Sequence, residues 1–160
     1  MMPVRELVDT WASVYANSAL LRSGISFLHV GALLGGGGSA IAADLGTLKA
    51  IRRSPDYFRS ELHRLRDTHR IVIGSLVLVV LSGILLMAAD LDAYLASTAF
   101  WLKMALVVGL IANGAALLLT TAYTEPGDPR LARRVGIVAL ASLALWFATT
   151  LLGAVLPNAL

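Results

Sequence analysis

The stretch IVIGSLVLVVLSGILLMAA, residues 71–89, decides how this chain folds. It contains no charged residue, and as a helix rising 1.5 Å per residue it is long enough to cross a hydrocarbon core of about 30 Å. Three similar stretches stand at residues 25–43, 99–121 and 135–156. Their only charged side chain is Lys103. Runs of this length exceed any strand, and a membrane barrel needs an alternating pattern that these segments lack. The sequence therefore predicts an all-α membrane protein, a bundle of four transmembrane helices in a single domain.

Composition agrees. Of 160 residues, 58% are hydrophobic and 14% charged, against roughly a quarter charged in soluble domains. The mean hydropathy is +0.77. A bilayer solvates this much continuous apolar surface directly, whereas a soluble core of this length cannot hide it. The absence of cysteine excludes disulfides, thiolate metal sites, iron–sulfur clusters and a cysteine nucleophile. Walker loops, nucleophile elbows and zincin pairs are also missing.

The net charge of +3 is a topology signal rather than a mark of nucleic-acid binding. Lys49, Arg52, Arg53, Arg59, Arg64, Arg66 and Arg70 lie between the first two spans, and Arg130, Arg133 and Arg134 between the last two. The other side has only Arg5 and Arg22, among Glu6, Asp9, Asp90 and Asp92. The positive-inside rule puts both basic loops in the cytoplasm and both termini outside.

Outside the spans, Leu7, Val8, Trp11, Val14, Tyr15 and Ser18 follow helical spacing. They predict an amphipathic interfacial helix over residues 4–19, with Ser23–Gly24 as the bend into the first span, or as the alternative a helix continuous through that point. Ser54–Pro55 reads as the start of a helix that runs through Asp56 and Arg70 into the second span. Glu125-Pro126-Gly127-Asp128-Pro129 reads as a turn.

Chemistry concentrates in the first span. Gly35, Gly36, Gly37 and Gly38 strip one turn of side chains, and Gly31 with Gly35 forms a small-xxx-small pair. Such a surface suits close helix packing, or a flat cofactor lying against Gly35 and Gly36. His29 sits ~6 Å below the outer boundary, a costly place for an ionisable group and a good one for a haem or metal ligand. Lys103 lies at matching depth on the third span, where it can snorkel outward or meet a carboxylate, as can Arg22 just outside the first span. His69 is separated from His29 by roughly 20 Å of helix, so the two cannot ligate one iron. His63 is further into the basic loop. Met87 and Met104 are candidate sixth ligands. Asp44 is level with His69 and Arg70, which predicts an ion pair there or a proton relay. Asn113 is expected to bond across helices, and Trp101 and Tyr94 to sit near span ends.

These segments resemble a bacterial group of four-helix membrane proteins that includes the CopD-type copper-resistance membrane domain and the HemJ-type protoporphyrinogen oxidase. The likeness rests on Phe27-Leu28-His29-Val30-Gly31 before a basic loop, on Leu81-Ser82-Gly83-Ile84, and on Phe100-Trp101-Leu102-Lys103-Met104-Ala105-Leu106. It spans residues 27–113. In HemJ-type proteins the corresponding histidine is associated with haem, so the resemblance implies haem b, with His29 as iron ligand, in electron transfer or haem handling. Two other readings stand beside it. One is an accessory subunit that packs its glycine-rich face on a second copy or a larger membrane complex. The other is a small metal or proton transporter.

Overall fold

The computed structural model describes residues 4–123 and 129–156. Six helices follow one another: α1 (Val4–Asn17), α2 (Ala19–Arg53), α3 (Pro55–Ala88), α4 (Leu91–Ala96), α5 (Thr98–Tyr123) and α6 (Pro129–Val155). There is no strand among the described residues. Four helices are long and apolar enough to cross a membrane, over Ala19–Arg53, Asp67–Ala88, Thr98–Ala122 and Arg130–Val155. The protein is an all-α, multi-pass membrane protein, with apolar helix faces suited to lipid. Large side chains point outward, Phe27 being 79% and Phe147 64% exposed, while Ala32, Gly36, Gly37 and Ala40 of α2 face inward. That inversion suits a solvent of lipid tails, in which helices associate by close contact rather than by hiding apolar surface.

The helix boundaries have local causes. Ser18 N-caps α2, its side chain accepting from the Leu21 N–H at 3.3 Å. The break between α1 and α2 is therefore at Ser18 and not at Ser23–Gly24, through which α2 is continuous, as the alternative reading had it. An unbroken helix satisfies its own backbone groups in the bilayer, and a good cap fixes where it starts. Ser54 separates α2 from α3 by a single residue, and its hydroxyl accepts from the Tyr57 N–H at 3.2 Å, with Pro55 at the first helical position. The expected helix beginning at Ser54–Pro55 is therefore present. At 35 residues, α2 is about 52 Å long and carries Lys49, Arg52 and Arg53 as helix beyond any bilayer core. The predicted turn over residues 124–128 lies outside the described residues. The short α4 has no counterpart in the sequence reading.

α1 lies over the end of α3. The Trp11 indole N–H donates to the Leu85 carbonyl at 2.9 Å, one of the four at that helix end without a partner in its own helix. Arg5 pairs with Asp92 of α4 at 3.1 Å, an exposed pair that contributes little stability.

The helices pack in the order α3, α2, α6, α5, while α3 and α5 meet only marginally. Two apolar clusters hold this arrangement. Ala50, Phe58, Leu131 and Val135 pack at the basic end, and Ala40, Leu110 and Trp146 in the middle. The glycine run serves the middle level. A Cβ on Gly36 would fall 2.5 Å from the Ser75 Cβ of α3, and one on Gly37 would fall 3.0 Å from the Trp146 ring of α6. Gly31 and Gly38 have nothing within 4 Å, and Gly35 only Ser75 Oγ at 3.8 Å. The close-packed pair is therefore Gly36 and Gly37, not the predicted Gly31 and Gly35.

These contacts set opposite signs for two adjacent substitutions. Gly36→Ala should lower the thermal transition in detergent by an overpacking penalty of about 1–3 kcal/mol. Gly38→Ala should raise it slightly, since alanine is the better helix former by up to about 1 kcal/mol. Ser75→Gly should restore stability to Gly36→Ala. Equal transitions for the two single variants would show that α2 does not meet α3 at this turn.

Candidate functional site

Two cavities lie along the gap between α3 and α5, and Val80 lines both. The smaller, about 130 Å³, contains His29 of α2, Gly83 and Met87 of α3, Tyr94 of α4, and Lys103 and Met104 of α5. The histidine and lysine expected at equal depth therefore line one space, together with both candidate methionines. Burial of the Tyr94 phenol, aided by its neighbours Tyr15 and Asp90, raises its pKa above the ordinary tyrosine value, which keeps it a neutral hydroxyl.

His29 is half-buried and held by its neighbours. Its Nδ1 lies 2.9 Å from Ser82 Oγ. The Ser82 hydroxyl has one hydrogen, and it donates that to the Leu78 carbonyl at 2.6 Å. Ser82 therefore accepts from His29, which places the imidazole hydrogen on Nδ1 and leaves the lone pair on Nε2. The Val79 carbonyl, 3.2 Å from Ser82 Oγ, offers that hydroxyl a second acceptor. Gly83 makes room for the ring, since a Cβ there would stand 3.4 Å from His29 Cε1. A neutral histidine oriented through one nitrogen, with the other bearing a lone pair, is the form that binds a metal.

Lys103 is half-buried, and its Nζ approaches Gly153 of α6, 3.5 Å from where a Cβ would stand. No salt bridge joins Lys103 to a carboxylate among the described residues. A cation at this depth without a counter-charge suits an anionic group on a ligand.

Other expected site residues lie elsewhere. The Arg22 guanidinium donates to the Tyr15 carbonyl at 3.3 Å and to that of Ala16, covering the C-terminal carbonyls of α1 rather than reaching the cavity. Gly35 and Gly36 line neither cavity, and Gly36 is covered by Ser75.

The larger cavity, about 480 Å³, includes Asp44, Thr68, His69, Asn113, Ser142 and Trp146 among apolar side chains of α3 and α5. His69 is thus apart from His29, as the helical rise requires. The expected ion pair from Asp44 to His69 or Arg70 does not form: Asp44 is 7% exposed, and its Oδ2 has no hydrogen-bond partner. Arg70 is exposed, as its cost in an apolar site demands, which leaves Asp44 and His69 facing a shared cavity. Asn113 does bond across helices, its Nδ2 donating to the Val138 carbonyl at 3.2 Å. Ser82, Ser142 and Trp146 were missed as site residues. Small hydroxyls and a single tryptophan in apolar helices carry no pattern that separates them from packing. No group of three histidine or carboxylate side chains among the described residues could hold a metal ion by itself.

Comparison with protein families, with curated proteins and with solved structures finds no match to this chain.

Proposed function

We propose that this protein binds haem b in the membrane, for electron transfer or haem handling, with His29 as an iron ligand. The observation that carries the reading is the Ser82 contact, which fixes His29 with its Nε2 lone pair in a cavity shared with an unpaired lysine. The donor set suits haem: imidazole for iron, Met87 or Met104 for a sixth ligand, and Lys103 for a propionate. The space is the demanding part. At about 130 Å³ the cavity is smaller than ordinary cofactor pockets of 300 Å³ or more. Haem binding there requires α3 and α5 to part further at this level, and their marginal contact keeps the cost of that opening low. Bound haem would supply a one-electron couple. Ser82 would hold the His29 tautomer, and Tyr94 and Lys103 would meet polar groups at the ring edge.

A second reading has its own support. Gly24, Gly31 and Gly38 recur every seven residues on α2, and a Cβ on any of them would meet nothing within 4 Å. This open face suits a helix of a second copy or of a larger complex, as expected of an accessory subunit.

The orientation we propose has the basic ends of α2, α3 and α6 in the cytoplasm of a bacterial inner-membrane protein. Reporter fusions after Arg53 should read cytoplasmic and those after Asp92 external. An external signal after Arg53 would invert the arrangement.

Haem itself is tested on protein purified in mild detergent from haem-sufficient cells, by haem-to-protein ratio and reduced-minus-oxidised spectrum. The wild type should be red with a b-type spectrum. His29→Ala should lose haem, and Ser82→Ala should weaken affinity by about tenfold or more. Lys103→Ala should weaken binding while keeping a b-type spectrum, and His69→Ala should retain haem. A colourless, folded wild type, or full occupancy in His29→Ala, would overturn the haem reading and leave the accessory subunit.

A further inference from the structure

The larger cavity is a groove on the outer surface of the bundle. Ile73 and Val77 of α3 and Ile111 and Leu118 of α5 line it, and each is 46% to 51% exposed. Both helices span the membrane along this stretch, so the opening faces lipid. The lining is graded along its length. Thr68, His69 and Asn113 stand together toward the basic end, His69 Cε1 lying 3.6 Å from where a Cβ on Gly114 would stand. Beyond them α3 contributes only apolar side chains, from Val72 to Leu81. Arg70 is exposed and stands three residues before Ile73 and seven before Val77, on the face of α3 that borders the opening. No salt bridge joins it to a carboxylate among the described residues, Asp67 one turn away included. So long a side chain at the end of a span carries its charge out to the level of the headgroups.

We propose that this groove holds an anionic phospholipid of the leaflet at the basic end, with its phosphate on Arg70 and one acyl chain along the gap between α3 and α5. The lengths agree. Helix α3 rises roughly 16 Å from Arg70 to Leu81, and a leaflet is half of a hydrocarbon core of about 30 Å. The grading agrees as well, since a phospholipid is polar at one end and apolar along the rest. His69 has an N–H for an ester or phosphate oxygen, and the apolar length beyond it receives the chain. Charge selects the headgroup. A guanidinium takes a phosphate through paired N–H donors, and the charge of Arg70 is not balanced by a salt bridge within the protein. A choline headgroup brings its own cation beside the phosphate and gains less here than a headgroup of net negative charge. Basic sites between spans bind lipids of that class. A second copy of the chain would bring its own basic end to the same level of the membrane, where like charges repel. The lipid site stands clear of His29 and Lys103, which line the other cavity.

The test is native mass spectrometry of the delipidated protein in detergent, titrated with dioleoylphosphatidylglycerol and separately with dioleoylphosphatidylcholine. The wild type should take up one phosphatidylglycerol per chain, at least about fivefold more tightly than phosphatidylcholine, the effect of one arginine near the membrane surface. Arg70→Gln, at an exposed position, should erase that preference. Arg133→Gln removes another exposed charge at the same end, on α6, and should keep it. Gly114→Leu places a side chain in the groove and should lower phosphatidylglycerol uptake by about tenfold. His29→Ala should bind the lipid as the wild type does, so failure of the haem reading is read separately. Equal affinity of the wild type for the two lipids would overturn the proposal. So would equal losses in Arg70→Gln and Arg133→Gln, unchanged uptake in Gly114→Leu, or dimers of the chain in place of bound lipid.

Discussion

Gly36 and Gly37 let α2 touch α3 and α6 at one level, and the rest of the bundle follows from that double contact. Within a bilayer no hydrophobic force gathers the helices, so close approach of backbones must do it. The Gly36 side leaves room for the Ser75 Cβ and the Gly37 side for the Trp146 ring. With α2 in the middle, α3 is held on one flank and α6 on the other, and α5 packs on α6. Nothing comparable draws α3 and α5 together. The bundle is closed on three sides and loosely joined on the fourth.

The costly polar groups lie along that fourth side. His29 and Lys103 share one cavity, Asp44 and His69 the other, and Val80 stands between them. Each pair would be expensive against a tightly packed neighbour without partners, and each lies beside one of the two cavities. Between these two polar levels the cavity walls are Leu, Val and Ile side chains.

Much of the fold was legible because membrane spans are read from length and hydropathy alone. The uncharged run at residues 71–89 required a helix, and Ser54–Pro55 announced its beginning. Boundaries set by one side chain were less visible. Ser18, rather than the more conspicuous Ser23–Gly24, starts α2, since a cap depends on backbone conformation that sequence spacing does not reveal. The glycine run was recognisable as a place of close approach, but which glycine meets which helix depends on the helix's rotation. That rotation gave the contacts to Gly36 and Gly37 and left Gly31 open. The pairing of His29 with Lys103 followed from equal depth. Asp44 was misread for a related reason: depth put it level with His69, but depth says nothing of whether the groups turn toward each other or toward a shared cavity. Arg22 shows the same limit, its guanidinium having found nearer carbonyls in α1 than any in the site.

The account stands on the separation of α3 from α5 beside tight contact of α2 with α3. The chain has no cysteine, so introduced pairs report without background. In lipid nanodiscs under mild oxidant, Gly35→Cys with Ser75→Cys should form a disulfide rapidly, the Ser75 Oγ lying 3.8 Å from where a Cβ on Gly35 would stand. Val77→Cys with Ile111→Cys, across the gap between α3 and α5, should remain reduced, since such a bond needs Cα atoms within about 7 Å. Equal cross-linking of the two pairs would close the gap and contradict the structure's central feature.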